Sequence, residues 1–197
     1  MNPILITTAL QSEARPIIAF YKMVKRLKNN KFFYFQKDDI ICLTTGVGAQ
    51  NVRKRLSAFL KQTDYDYLTL INVGIAGGKR GIAEKGSMYL VSKIIDEKDK
   101  SVRITNTQLN NGLKKLHLTT VPQGIIDGGK NYNGLVDMEA AAIFDIATQS
   151  SSIQEMVFLK IVSDYMEEVL DSPEQVYPFI NNQLHEIDRM ITLCQNR

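Results

Sequence analysis

Three carboxylates, Glu13, Glu139 and Asp164, each stand where an apolar stretch that reads as a strand gives way to a predicted helix. Strand ends of a parallel α/β sheet share one rim, and ligands bind in the crevice there. Two of the acids lie in distinctive runs, Val136-Asp137-Met138-Glu139-Ala140-Ala141-Ala142 and Lys160-Ile161-Val162-Ser163-Asp164. His117 and His185 are the only histidines and have no metal-ligand spacing, so no metal is expected. Cys42, with no histidine near it in sequence, reads as a small core residue rather than a nucleophile. What remains is carboxylate chemistry. Cleaving a sugar carbon from a purine nitrogen needs an acid to protonate the base, a grip on the ribose hydroxyls and an activated attacking group. Separate carboxylates can fill those roles if their environments push their pKa values apart.

The elements that would position these acids follow from patterning. Ile4 to Leu10 reads as a buried strand, followed by a helix from about Glu13 to Leu27 that Ser12 can cap. Phe32 to Gln36 and Asp39 to Thr44 read as strands joined by a turn at Lys37-Asp38, and Asn51 to Leu60 has helical spacing. Tyr67 to Val73 is nearly all apolar, as in a strand covered on both faces, and runs into a glycine turn, Gly74 to Gly78. Further strands are expected at Ser87 to Ile95, His117 to Val121, Leu135 to Met138 and Met156 to Val162. Gly124 to Asn133 reads as a loop, Glu139 to Gln149 as a helix, and Pro173 to Leu193 as a closing helix. The alternation predicts an α/β fold in which helices flank a mixed, largely parallel central sheet, in a single domain over residues 1–197.

Composition narrows the function. The chain has 197 residues, 44% hydrophobic and 23% charged, enough for a substantial core. A net charge of +3 does not suggest nucleic acid. The one basic stripe, Lys22, Lys25, Arg26, Lys28 and Lys31, falls at the predicted end of the first helix, where it suits the helix dipole and solvent. Two cysteines imply no disulfide framework and fit a reducing cytoplasm, and no stretch is long enough to span a bilayer. Gly46-Val47-Gly48 and Gly74 to Gly78 could bring backbone amides close to a ligand. Neither matches a P-loop or a full dinucleotide fingerprint, so no cofactor is expected.

Five runs in order, Thr8-Ala9-Leu10-Gln11-Ser12-Glu13-Ala14, Thr45-Gly46-Val47-Gly48, Asn72-Val73-Gly74-Ile75-Ala76-Gly77-Gly78, the Val136 to Ala142 run and Val162-Ser163-Asp164, carry a resemblance. The chain resembles the nucleoside phosphorylase and nucleosidase superfamily, nearest its 5′-methylthioadenosine/S-adenosylhomocysteine nucleosidase branch. Its opening also resembles the short hopanoid-associated members. The resemblance implies a homodimeric purine nucleoside N-ribosyl hydrolase. In it Asp164 donates a proton to purine N7, Glu13 handles the attacking water, and Glu139 holds the ribose hydroxyls with Met138 against the sugar. Ile75, Ala76 and Gly77 would cradle base and ribose, and Ser163 stands beside the acid. Taken alone, Asp164 could instead cap the next segment, and Glu13 and Glu139 could be helix-start acids.

Two other functions stay open. Arg15, Arg53, Arg55 and Arg80 could bind phosphate in a phosphorylase. A pared-down relative could bind nucleosides without turning them over. Lys160 stands where the nucleosidases carry arginine, Ile75 replaces a frequent serine, Ser87 replaces a frequent aspartate, and the stretch from Asp96 to Asn133 is short and offers no recognisable aromatic to stack on a base.

Overall fold

The computed structural model describes residues 2–28, 32–105, 112–168, 170 and 172–197. Strand β1 (Ile4–Thr8) is buried at every position and leads into helix α1 (Gln11–Tyr21). This helix begins earlier and ends sooner than its sequence suggests. Leu10, not Ser12, is the N-cap, and Glu13 reaches back so that Oε2 accepts the Leu10 N–H at 2.8 Å. At the other end Lys22 turns left-handed, with φ of 52°, and Val24–Lys28 becomes strand β2. Antiparallel pairing of β2 with β3 (Phe32–Lys37) overrides the helix propensity of the lysine- and arginine-rich stretch. Lys25 and Arg26 therefore sit on an edge strand rather than a helix end, where charge discourages strand-to-strand association. Lys31 lies outside the described residues.

Asp38, with φ of 49°, makes the expected turn into β4 (Ile40–Thr44), and α2 (Ala49–Leu60) follows Gly48. Strand β5 (Leu68–Gly78) does not stop at its glycines but runs through them, and no helix starts after it. The glycines serve close approach rather than a turn: a Cβ on Gly78 would stand 2.7 Å from Val162 Cγ1. Next come β6 (Met88–Asp96), β7 (Val102–Ile104), β8 (Lys115–Thr120) and β9 (Leu135–Asp137), then α3 (Ala140–Thr148) and β10 (Ile153–Asp164). The expected closing helix is two, α4 (Pro173–Asn181) and α5 (Leu184–Gln195). Ser172 and Gln175 form a reciprocal capping box at the start of α4, with Pro173 in its first turn.

The sheet is mixed. Its order runs β2-β3-β4-β1-β5, and β5 then pairs with both β10 and β9; with β6 and β8 between those two, five strands close into a ring. Strands β4, β1, β5 and β10 are successive parallel neighbours, and they include the two next to Glu13 and Asp164. Strand β9, which leads to Glu139, runs antiparallel to β5, so this acid reaches the same rim from outside the parallel stretch. Helices α2 and α3 cover one face through Val52, Leu56, Phe59 and the alanines of α3. Helices α1, α4 and α5 cover the other through Ile17, Ile180, Ile187 and Met190. Strand β10 alternates between them, with Phe158 and Val162 on the first face and Val157, Leu159 and Ile161 on the second. Among the described residues no helix is long and apolar enough to cross a membrane.

Candidate active site

The eight residues singled out in the sequence, Glu13, Ile75, Ala76, Gly77, Met138, Glu139, Ser163 and Asp164, all line one cavity of about 270 Å³. Glu13 arrives in the first turn of α1 and is 2% exposed. Its Oε2 accepts the N–H groups of Ala9 and Leu10, each at 2.8 Å, and its Oε1 accepts that of Ile75 at 2.9 Å. Gly74 makes this approach feasible, since a Cβ there would lie 3.0 Å from Glu13 Oε1. Glu139 occupies the N-cap position of α3 and reaches across to Gly48, whose N–H it accepts at 2.7 Å. That amide is spent on protein, so the Gly46-Val47-Gly48 loop acts by shaping Glu139 and by presenting Val47 to the cavity. Asp164 ends β10 at 9% exposure; its Oδ2 accepts from Ser163 Oγ at 2.7 Å and its Oδ1 from Met166 N at 2.6 Å. Among the described residues no helix follows it directly, and the Met166 N–H that it accepts caps the turn that comes next, so Asp164 supports the following segment while lining the cavity.

Two charged residues that sequence reasoning did not assign lie behind these acids. Lys160, in mid-strand, is 2% exposed, and its Nζ pairs with Asp137 Oδ2 at 2.9 Å. Asp137 also accepts from Thr120 Oγ1 at 2.7 Å and from Ala140 N at 3.0 Å, so it starts α3 as well as balancing the lysine. A single ammonium thus faces Asp137, Glu139 and Glu13. Burial pushes Glu13 above the usual carboxylate range, more than its three backbone donors and Lys160 pull it down. Burial, followed by the charge of Asp137, pushes Glu139 up to about 7. Burial alone would lower the Lys160 pKa, but Asp137, Glu139 and Glu13 together raise it. The lone charge in the apolar run from Met156 to Val162 was the available signal for Lys160, because a lysine is almost never fully buried unless paired.

Val121, Ile125, Val136 and Met166 form an apolar wall, and no aromatic ring is among the lining residues described. Among the described residues none of the four arginines reaches the cavity. Arg15 and Arg53 are exposed, Arg55 donates to Thr44 O at 2.9 Å, and Arg80 pairs with Glu167 at 2.7 Å. Cys42 is buried, and burial together with the nearby Glu13 charge pushes its thiol up to about 12. No group of three or more His, Cys, Asp or Glu among the described residues is arranged to hold a metal ion.

By sequence the chain matches no family model and no curated protein. By structure it falls in the nucleoside phosphorylase and nucleosidase fold class. Within that class its likeness is to 5′-methylthioadenosine/S-adenosylhomocysteine nucleosidases. An Asp-to-Asn mutant of the Helicobacter pylori enzyme, with 5′-methylthioadenosine in its active site, superposes with a TM-score of 0.81 at 12% identity, over 98% of this chain and 99% of that one. The Campylobacter jejuni enzyme gives 0.77 at 16% identity with both chains covered in full. The Arabidopsis thaliana 5′-methylthioadenosine nucleosidase in apo form gives 0.75 at 18% identity, over 100% of this chain and 97% of that one. Identities this low establish the fold; the chemistry rests on the site.

Proposed function

We propose that the chain is a purine nucleoside N-ribosyl hydrolase of the 5′-methylthioadenosine/S-adenosylhomocysteine nucleosidase type. The observation that carries this is the convergence of Glu13, Glu139 and Asp164, from three separate elements, on one mostly apolar cavity. Asp164, when protonated, gives its proton to N7 as the bond from N9 to C1′ breaks. The bonding electrons leave with the base, and C1′ takes oxocarbenium character. Glu139 accepts from the ribose hydroxyls, and Met138 packs on the sugar. A water at Glu13 adds to C1′ and surrenders a proton to the carboxylate. An ionised carboxyl has about four acceptor sites. Three of those on Glu13 are taken by backbone amides, which leaves one, on Oε1, for the water. The upward shift of Glu13 makes it the better base.

Water is favoured over phosphate because the position proposed for the nucleophile faces a carboxylate and none of the four arginines lies near it. The test is free-base release from methylthioadenosine, S-adenosylhomocysteine, adenosine, inosine and futalosine, with and without phosphate. Adenine released without phosphate is the expected result. Release only with phosphate would make the chain a phosphorylase, and no release would leave a nucleoside-binding relative or a substrate outside this set, such as an adenosyl-bearing lipid.

Glu139 gives the site a pH dependence. Its folded pKa of about 7 lies above the ordinary 4.5, so the stability it contributes is fully present below pH 4.5 and is lost as pH rises through 7. Thermal unfolding is expected to show a loss on the order of 3 kcal/mol between pH 5 and 8, removed by Glu139→Gln. Ribose binding runs the other way, because the ionised form accepts both hydroxyls. KM should therefore fall as pH rises through about 7.

A further inference from the structure

Four non-glycine residues among those described have left-handed backbone. Lys22, Asp38 and Lys100 are exposed, but Met166, with φ of 61°, is 1% exposed and lies two residues past Asp164. Such a conformation in a buried, bulky residue persists only where the surroundings over-determine it. Here they do so from three sides. The Met166 N–H donates to Asp164 Oδ1 at 2.6 Å, and its carbonyl accepts from Gly128 N at 2.8 Å. Its thioether runs between two glycines: a Cβ on Gly77 would come within 2.7 Å of Met166 Cγ, and one on Gly129 would collide with Sδ and Cε. With Val121, Val136, Ile125, Tyr132 and Met138, it forms a small apolar cluster apart from the two cores.

Resting on the role given to Asp164 above, we propose that Met166 is the positioning residue for that acid and that it transmits the position of the 124–134 loop to the carboxyl. The loop is tied down at Gly128 by Met166 itself and at Gly129 by Lys79 Nζ, 3.2 Å from the glycine carbonyl. The same loop carries Ile125 into the cavity wall. A purine seated against Ile125 holds the loop, the loop holds the Met166 carbonyl and thioether, and the Met166 N–H then fixes the angle of the carboxyl that protonates N7. If the loop lifts, the left-handed turn loses two of its three constraints and Asp164 loses its backbone donor. The acid is therefore set only when the base wall is closed.

The test perturbs the loop side and asks for rescue at position 166. In Gly129→Ala the new methyl takes the place of the thioether end, and kcat should fall by about 10²-fold with KM within a few-fold. Adding Met166→Ala removes Sδ and Cε and leaves Met166 Cβ 3.3 Å from that methyl. Alanine at position 129, where φ is 57°, carries the same left-handed backbone cost in both variants, so the double variant is compared with the single one and should regain at least about ten-fold in kcat over it. Absence of rescue, or a rise in KM with kcat unchanged, would overturn the proposal. Should Gly129→Ala fail to fold, Met166→Ala and Met166→Leu decide: kcat should drop by about ten-fold in the first and return in the second, and equal values in both would overturn it. If the wild-type chain releases no base from any nucleoside, the nucleosidase assignment fails and the role of Met166 with it. An active wild type with an unrescued loop variant overturns Met166 alone.

Discussion

Replacing Asp164 with asparagine is expected to cut base release by about 10²- to 10⁴-fold, the range spanned by general acid catalysis. Nucleoside affinity should stay within a few-fold. The substitution is nearly isosteric and keeps the scaffold: the amide oxygen can still accept from Met166 N, and the amide nitrogen can point to Ser163 Oγ. What it lacks is an acidic proton for N7, so the base must leave as a poor anion. Steady-state kinetics read the first effect, and calorimetric titration with methylthioadenosine reads the second. Turnover that survived the change would place the acid elsewhere, and affinity lost along with turnover would make Asp164 a binding group.

Removing the buried ammonium with Lys160→Met is expected to destabilise the fold by about 3–5 kcal/mol, the usual result of leaving a buried charge without its partner. In a chain of this length that corresponds to a melting temperature lower by roughly 10 °C. The penalty is large because Lys160 and Asp137 have side chains only 2% and 1% exposed, and because Glu139 and Glu13 lean on the same charge. Methionine fills the volume, so little of the effect comes from a cavity. The loss should be smaller at pH 5 than at pH 8, since Glu139, with its pKa near 7, takes up a proton and removes part of the stranded charge. Asp137→Asn in the same background should restore part of the stability. A variant as stable as wild type at pH 8 would show that water reaches the cluster.

Much of this site is legible in the sequence because its parts lie at strand ends, where short runs fix both backbone and chemistry. Ser163-Asp164 ends an apolar strand, and Glu139 opens an alanine-rich helix; local pattern places them there, while their assignment to a site, and that of Met138, comes from the family resemblance. What was not legible depends on partners far away in sequence. The residues from Met23 to Leu27 carry no helix breaker, and only pairing with Phe32–Lys37 makes β2 of them. The run from Gly74 to Gly78 looks like a turn because its glycines are close together, yet each is there to let Glu13, Met166 or Val162 approach. The ring closure needs β10 to pair on both edges, with β5 and with β6, which no local pattern announces. The pairing of Asp137 with Lys160 spans two elements, and the sequence offered only an aspartate without a role and a lysine in an unusual place.

Glu13 follows β1, Asp164 ends β10, and β5 lies between those two strands in the same parallel stretch. Two inter-strand steps therefore separate the elements that carry them, roughly 10 Å at the usual spacing of hydrogen-bonded strands. The distance between the attacking and departing sides of the proposed reaction is thus gauged by backbone hydrogen bonding, much as jaws are set on a caliper. Drift in substrate preference would have to come from the parts mounted on that frame, Val47, Ile125 and Leu170. The gauge itself would pass unchanged from one nucleoside to the next.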